Sequence, residues 1–139
     1  MAELTTEGQI AKALRGARVV AILGAHSDPS RAAFYVPEYL HAQGYRILPV
    51  NPGLAGRTLW GEPVRASLAE ISESVDVLDV FRRSAQVADH ADQILALRPG
   101  LVWLQSGIRN DAVARALEDA GIPVVQDRCL MVEHRRLLG

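Results

Sequence analysis

A chain of 139 residues, 49% of them apolar, points to one domain over residues 1–139 with room for a proper core. A net charge of −1 excludes a broad basic field for nucleic acid, and no apolar run reaches the roughly 18 residues that a membrane span needs. The lone Cys129 excludes an internal disulfide and fits a reducing cytoplasm, and Met1 to Glu7 lacks the basic and apolar regions of a secretion signal.

Thr6 to Arg15 reads as a short helix capped by Thr6, with Ile10, Ala13 and Leu14 as its apolar stripe. Val19 to Leu23 is an unbroken apolar run closed by Gly24, the pattern of a parallel strand buried on both faces. Asp28 followed by Pro29 reads as an N-cap with proline at the first helical position. The loop Gly24-Ala25-His26-Ser27 therefore precedes a helix start, whose unpaired N–H groups attract anions, phosphate above all. It is not the dinucleotide fingerprint. That motif has three glycines and an acidic residue about 20 positions on, whereas only Gly24 is present here and the second strand ends at Asn51.

Arg31 to Gln43 is the second helix, with Pro37 expected to kink it or delay its start and Gly44 ending it. Tyr45 to Val50 is the second strand, in which Pro49 lacks a ladder donor and suits a strand end or a sheet margin. Leu54 to Val64 is irregular, anchored by Trp60, and Ser67 with Glu70 forms a capping box for one helical turn. Val75 to Phe81 is the third strand, Ser84 to Leu97 a longer helix, and Leu101 to Gln105 the fourth strand. Asn110 or Asp111 caps a helix that stops at Gly121; Val124-Val125 is a short fifth strand and Leu130 to Leu138 a terminal helix. This alternation predicts an α/β fold: a Rossmann-like, doubly wound, five-stranded parallel sheet with strand order 3-2-1-4-5.

Ligands of such sheets bind beyond the carboxyl ends of the strands, where the strand order reverses. Gly24 to Ser27, Asn51-Pro52, Phe81-Arg82-Arg83 and Gln105-Ser106-Gly107 fall there. They offer backbone donors, two side-chain amides, guanidinium groups and an aromatic ring, a set suited to a phosphorylated nucleotide rather than a metal or a sugar.

Five motifs follow one another at these strand ends: Gly24-Ala25-His26-Ser27-Asp28-Pro29-Ser30-Arg31, Pro49-Val50-Asn51-Pro52, Val80-Phe81-Arg82, Trp103-Leu104-Gln105-Ser106-Gly107-Ile108 and Asp127-Arg128-Cys129. Together they resemble the single-domain CoA-binding proteins, which are similar to the N-terminal domain of the succinyl-CoA synthetase α-subunit and of NDP-forming acyl-CoA ligases. His26 stands where that family commonly has Ser. The resemblance implies that Gly24, Ala25, His26, Ser27 and Arg31 meet the CoA phosphates and that Val50, Asn51 and Pro52 flank the adenosine. It implies Phe81 and Arg82 beside the ligand and Gln105 towards the pantetheine path. The cofactor it implies is CoA or an acyl-CoA. Only about a dozen residues follow the fifth strand, so the expectation is binding without ligation, by the chain alone, as a homodimer or beside a partner enzyme.

Two other functions share this sheet: an NAD(P)-linked oxidoreductase, and a regulatory protein with a vestigial nucleotide site. Catalytic groups are not evident. Cys129 and His134, five apart, do not share a helix face well, and Asp76 and Asp79 point to opposite sides of a strand. No cluster has metal-ligand spacing.

Overall fold

A computed structural model describes residues 3–139, so Met1 and Ala2, the start of the stretch read above for a secretion signal, lie outside the described residues. Five parallel strands form the sheet: β1 (Val19–Leu23), β2 (Arg46–Val50), β5 (Val77–Val80), β6 (Leu101–Leu104) and β7 (Val124–Val125). Two residues each, β3 (Thr58–Leu59) and β4 (Glu62–Pro63) make a small antiparallel hairpin within the segment expected to be irregular. The helices are α1 (Glu7–Leu14), α2 (Ala32–Ala42), α3 (Ala91–Leu97), α4 (Asp111–Asp119) and α5 (Leu130–Leu137).

The strand run is apolar without a break because each face meets helices. Val20 and Ile22 of β1 join Ile47, Val77, Leu101 and Trp103 in one core, closed by α1, α2 and α5 through Ile10, Leu14, Val36, Leu40 and Leu130. Ala21 and Leu23 join Leu48, Leu78, Val80 and Leu104 in the other, closed by α3 and α4 through Ile94, Val113 and Leu117. Alternation along each strand thus feeds two cores of similar depth.

The α/β doubly wound class holds, but the strand order is β2-β1-β5-β6-β7. Numbered within the large sheet alone this is 2-1-3-4-5, not the expected 3-2-1-4-5. The third strand crosses back to pair with β1 on the side away from β2, from Val20↔Val77 to Leu23↔Val80. Both orders satisfy right-handed crossovers, so handedness does not choose between them. Pro49 does. It occupies β2, the edge strand, where its missing donor leaves no gap in a second ladder. The outer side of β2 is closed near its end by Arg65, whose N–H donates to Pro49 O and whose carbonyl accepts from Asn51 N.

Several local expectations also shift. Asp28 does not cap α2: its Oδ1 accepts from Ser30 N and Ser30 Oγ in a tight turn, and the helix opens three residues later with Arg31 at the cap. Ser67 makes no capping bond to the 3-10 turn at Leu68–Glu70. The expected long helix splits into a 3-10 segment, Ser84–His90, and α3. Ser84 is held elsewhere: its Oγ accepts from Arg109 N at 2.9 Å and its carbonyl from Asn110 Nδ2 at 3.1 Å. Thr6 with Gln9 makes a full capping box at α1, and Asn110 caps α4.

Candidate functional site

The chain goes from β1 to β2 on one side and then to β5 on the other, so the crevice of the doubly wound sheet opens between the ends of β1 and β5. Gly24 and Phe81 face each other there. Phe81 N donates to Leu23 O at 2.9 Å, and a Cβ on Gly24 would lie 2.6 Å from the Phe81 carbonyl oxygen. With φ at +91° as well, position 24 accepts only glycine.

Above this floor lie two hollows that share Ala32, Phe81, Arg82 and Arg83 as walls. The polar one, about 520 Å³, is completed by Gly24, His26, Arg31, Asn51 and Gln86. The apolar one, about 580 Å³, is completed mainly by Tyr35, Gln105, Ile108, Cys129, Met131 and Val132. They form one crevice with a cationic end and a greasy end.

Backbone donors at the polar end come from a different place than the sequence suggests. Gly24 N and Ala25 N both donate to Val50 O, at 2.9 and 3.1 Å, and His26 N donates to Ala33 O at 3.2 Å. Ala25 is wholly buried, and its carbonyl accepts from Asn51 Nδ2 at 2.7 Å. The N–H groups of Ala32 and Ala33, the first two positions of α2, have no acceptor among the described residues, as those of Arg82 and Arg83 have none, and all four residues line the polar hollow.

Pro37 explains how the loop is fixed. A proline has no N–H, so the carbonyl four residues earlier, Ala33 O, lacks its helical donor. His26 N–H supplies it. The proline that was expected to disturb α2 instead frees an acceptor that ties the first loop to the first turn of the helix.

His26 is oriented further by its ring. Nδ1 accepts from Asp28 N at 3.0 Å, so the neutral ring carries its proton on Nε2, where it is a donor. Asn51 braces the neighbouring loop: Nδ2 reaches Ala25 O while Oδ1 accepts from Gly53 N at 2.8 Å. Its Oδ1 and one of its two Nδ2 hydrogens are thereby engaged within the protein. Ser27, Val50 and Pro52 do not line either hollow; Val50 is in the core and Pro52 is exposed in the following 3-10 turn.

Three arginines, Arg31, Arg82 and Arg83, line the polar end. Arg46, Arg65, Arg109, Arg128 and Arg136 each sit in an ion pair. Arg31, Arg82 and Arg83 have no carboxylate within 4 Å among the described residues. Arg82 Nε is buried without a partner. Burial, reinforced by the nearby Arg82 guanidinium, holds His90 below the usual imidazole range. Three cations beside free backbone donors favour negative charge at that end.

The other titratable candidates lie apart. His134 Nδ1 and Tyr39 OH are 2.8 Å apart, and the ring stands edge-on to both Tyr39 and Tyr45; it lines a separate hollow of about 310 Å³ with Arg18 and Tyr45. Cys129 is at the other end of α5, in the apolar half of the crevice. Asp76 accepts from Arg18 N and Val19 N at 2.8 and 2.9 Å and anchors the start of β1. Among the described residues no group of three His, Cys, Asp or Glu side chains is placed to hold a metal, and no helix is long and apolar enough to cross a membrane.

Residues 18–135 match the family described as CoA binding domain. The chain belongs to that family. It is 30% identical over 129 residues to the uncharacterized protein YneT of Bacillus subtilis (strain 168), covering 93% of this chain and 94% of that protein. The solved structure of cell-free ID.343 from Thermus thermophilus is 57% identical with a TM-score of 0.93, over 96% of this chain and 100% of that one. A dinucleotide-forming acetyl-coenzyme A synthetase 1 from Ca. Korarchaeum cryptofilum shares the fold at 20% identity and a TM-score of 0.67, over 77% of this chain and 25% of that one.

Proposed function

We propose that this CoA-binding domain holds coenzyme A or an acyl-CoA, acting in the cytoplasm as a binding module and not as a ligase. The observation that carries this reading is the division of one crevice into a cationic end and an apolar end that share Phe81 and Arg82. CoA is divided in the same way, into a phosphorylated nucleotide and a long pantetheine arm. The diphosphate takes the free N–H groups of Ala32 and Ala33, the Nε2–H of His26 and the forked cations of Arg31 and Arg82. Phe81 and Gln105 flank the arm. Gly24, Ala25, Ser27, Val50 and Asn51 act on the ligand mainly by setting the shape of the two loops, and Pro52 lies outside the contact.

Titration calorimetry with CoA, NAD and ATP tests the reading. CoA should bind with the highest affinity of the three. Arg82→Ala removes a charge-assisted contact of about 1.5–3 kcal/mol and should weaken CoA by at least about tenfold. Arg31→Ala should weaken CoA more than it weakens NAD. Tighter binding of NAD than of CoA, or equal effects of Arg31→Ala on both, overturns the assignment.

A further inference from the structure

Cys129, the single cysteine of the chain, is the N-cap residue of α5 and lines the apolar half of the crevice. Two contacts fix it there. Trp103 Nε1 donates to the carbonyl of Arg128 at 2.8 Å, and Leu130 N donates to Gln105 Oε1 at 2.9 Å. The residues on both sides of the cysteine are thus pinned to the carboxyl end of β6.

Gln105 supplies a second, independent sign of a ligand. It is 4% exposed and lines the same hollow as Cys129. Its Oε1 is turned to Leu130, which leaves the two N–H donors of Nε2 without an acceptor among the described residues. A buried side chain whose amide Nε2 opens into the hollow and bonds no other group matches a ligand that brings carbonyl oxygens into an apolar channel. The pantetheine arm does this. It carries two amide carbonyls between methylene segments, which Phe81, Ile108 and Met131 can pack, and it ends in a thiol. Tyr35 and Val132, the exposed large apolar residues, stand at the rim of the hollow, so a group attached to that thiol can extend outward.

We propose that Cys129 is a thiol–disulfide exchange site for the CoA thiol, an inference that rests on the CoA reading above. The oxidant is CoA disulfide. The Cys129 thiolate attacks one sulfur of that disulfide; the Cys129–CoA bond forms, the CoA–CoA bond breaks, and the departing CoA thiolate takes up a proton. One disulfide is consumed and one is made, and a thiol reductant reverses the step. The CoA site of this chain is in this way coupled to the thiol redox state.

The test is intact mass spectrometry of the full chain after incubation with CoA disulfide or glutathione disulfide, without reductant, with CoA affinity measured in parallel by calorimetry. One CoA adduct per chain is expected, removed by dithiothreitol and absent in Cys129→Ser. It should form at least about tenfold faster than the glutathione adduct, because a bound diphosphate raises the effective concentration of the disulfide at Cys129. Arg82→Ala should slow the CoA adduct by a larger factor than the glutathione adduct. Absence of the adduct on the wild-type chain overturns the proposal, and so do equal rates for the two disulfides. The calorimetry shows whether the CoA reading falls with it: CoA that binds without forming the adduct removes only the exchange step.

Discussion

Asp79 lies at the centre of β5, paired with Ile22 of β1 on one side and Trp103 of β6 on the other. It is wholly buried, and neither carboxyl oxygen has a hydrogen-bond partner. Burial pushes its carboxyl well above the ordinary carboxylate range, so the fold holds the neutral acid. In the unfolded chain the same group titrates near pH 4. Between those two values the folded protein binds one more proton than the unfolded one. The stability that Asp79 leaves intact below about pH 4 is therefore lost as pH rises towards the folded value, at about 1.4 kcal/mol per pH unit. Asp79→Asn keeps the shape of the side chain, stays neutral throughout and removes this slope. Urea unfolding of both proteins at a series of pH values above about 4 should show the Asn variant gaining on the wild type by about 1.4 kcal/mol for each pH unit below the folded-state value. Every other carboxylate is common to the two chains, so the difference isolates this position. A difference that stays constant with pH would mean that Asp79 is ionised in the fold, and the reasoning would fail.

Gly24→Ala puts a Cβ against the Phe81 carbonyl at a φ of +91° and should destabilise the fold by about 2–4 kcal/mol in urea unfolding; a loss below about 0.5 kcal/mol would show that the ends of β1 and β5 part freely. Asn51→Ala removes the bonds to Ala25 O and Gly53 N and should lower both stability, by about 1–2 kcal/mol, and CoA affinity, whereas Pro52→Ala should change neither appreciably. Pro37→Ala gives Ala33 O a helical donor that competes with His26 N–H, so amide exchange should speed up at His26 and not at Gly24, whose partner is Val50 O. Unchanged exchange at His26 would show that the proline does not set the loop.

Local chemistry made most elements readable. Five apolar runs marked the strands, two of them closed directly by Gly24 and Asn51, and side chains that bond their own helix starts marked the Thr6 and Asn110 caps. Where a long-range partner decides, the local pattern misled. Asp28 followed by Pro29 has the pattern of a cap, but its oxygen goes to Ser30 in a turn and the free donors move to Ala32 and Ala33, residues with no polar side chain to mark them. Gln105 was placed at the strand end correctly, yet nothing in its sequence neighbourhood indicates that Leu130, 25 residues away, takes its oxygen. Asn51 has a polar amide that reads as a ligand contact, and the fold turns it inward to brace Ala25 and Gly53.

The strand order has the largest consequence for the site. Had the third strand followed the second, the reversal would fall between the first and fourth strands, and Gly24 would face the Gln105-Ser106 turn. Pro49 argues against that arrangement, since a central β2 would need a donor there for a second ladder. With β2 at the edge, β5 takes the place beside β1, and Phe81 comes under the first loop while Arg82 enters the shared wall of both hollows. Gln105 moves one strand further out, over β6 and beside Cys129. The ends of β1 and β6 are thus two strand spacings apart where the other order would leave one, a gain of about 4.8 Å. That displacement draws the crevice out along the sheet, as a ligand with phosphates at one end and a thiol at the other requires.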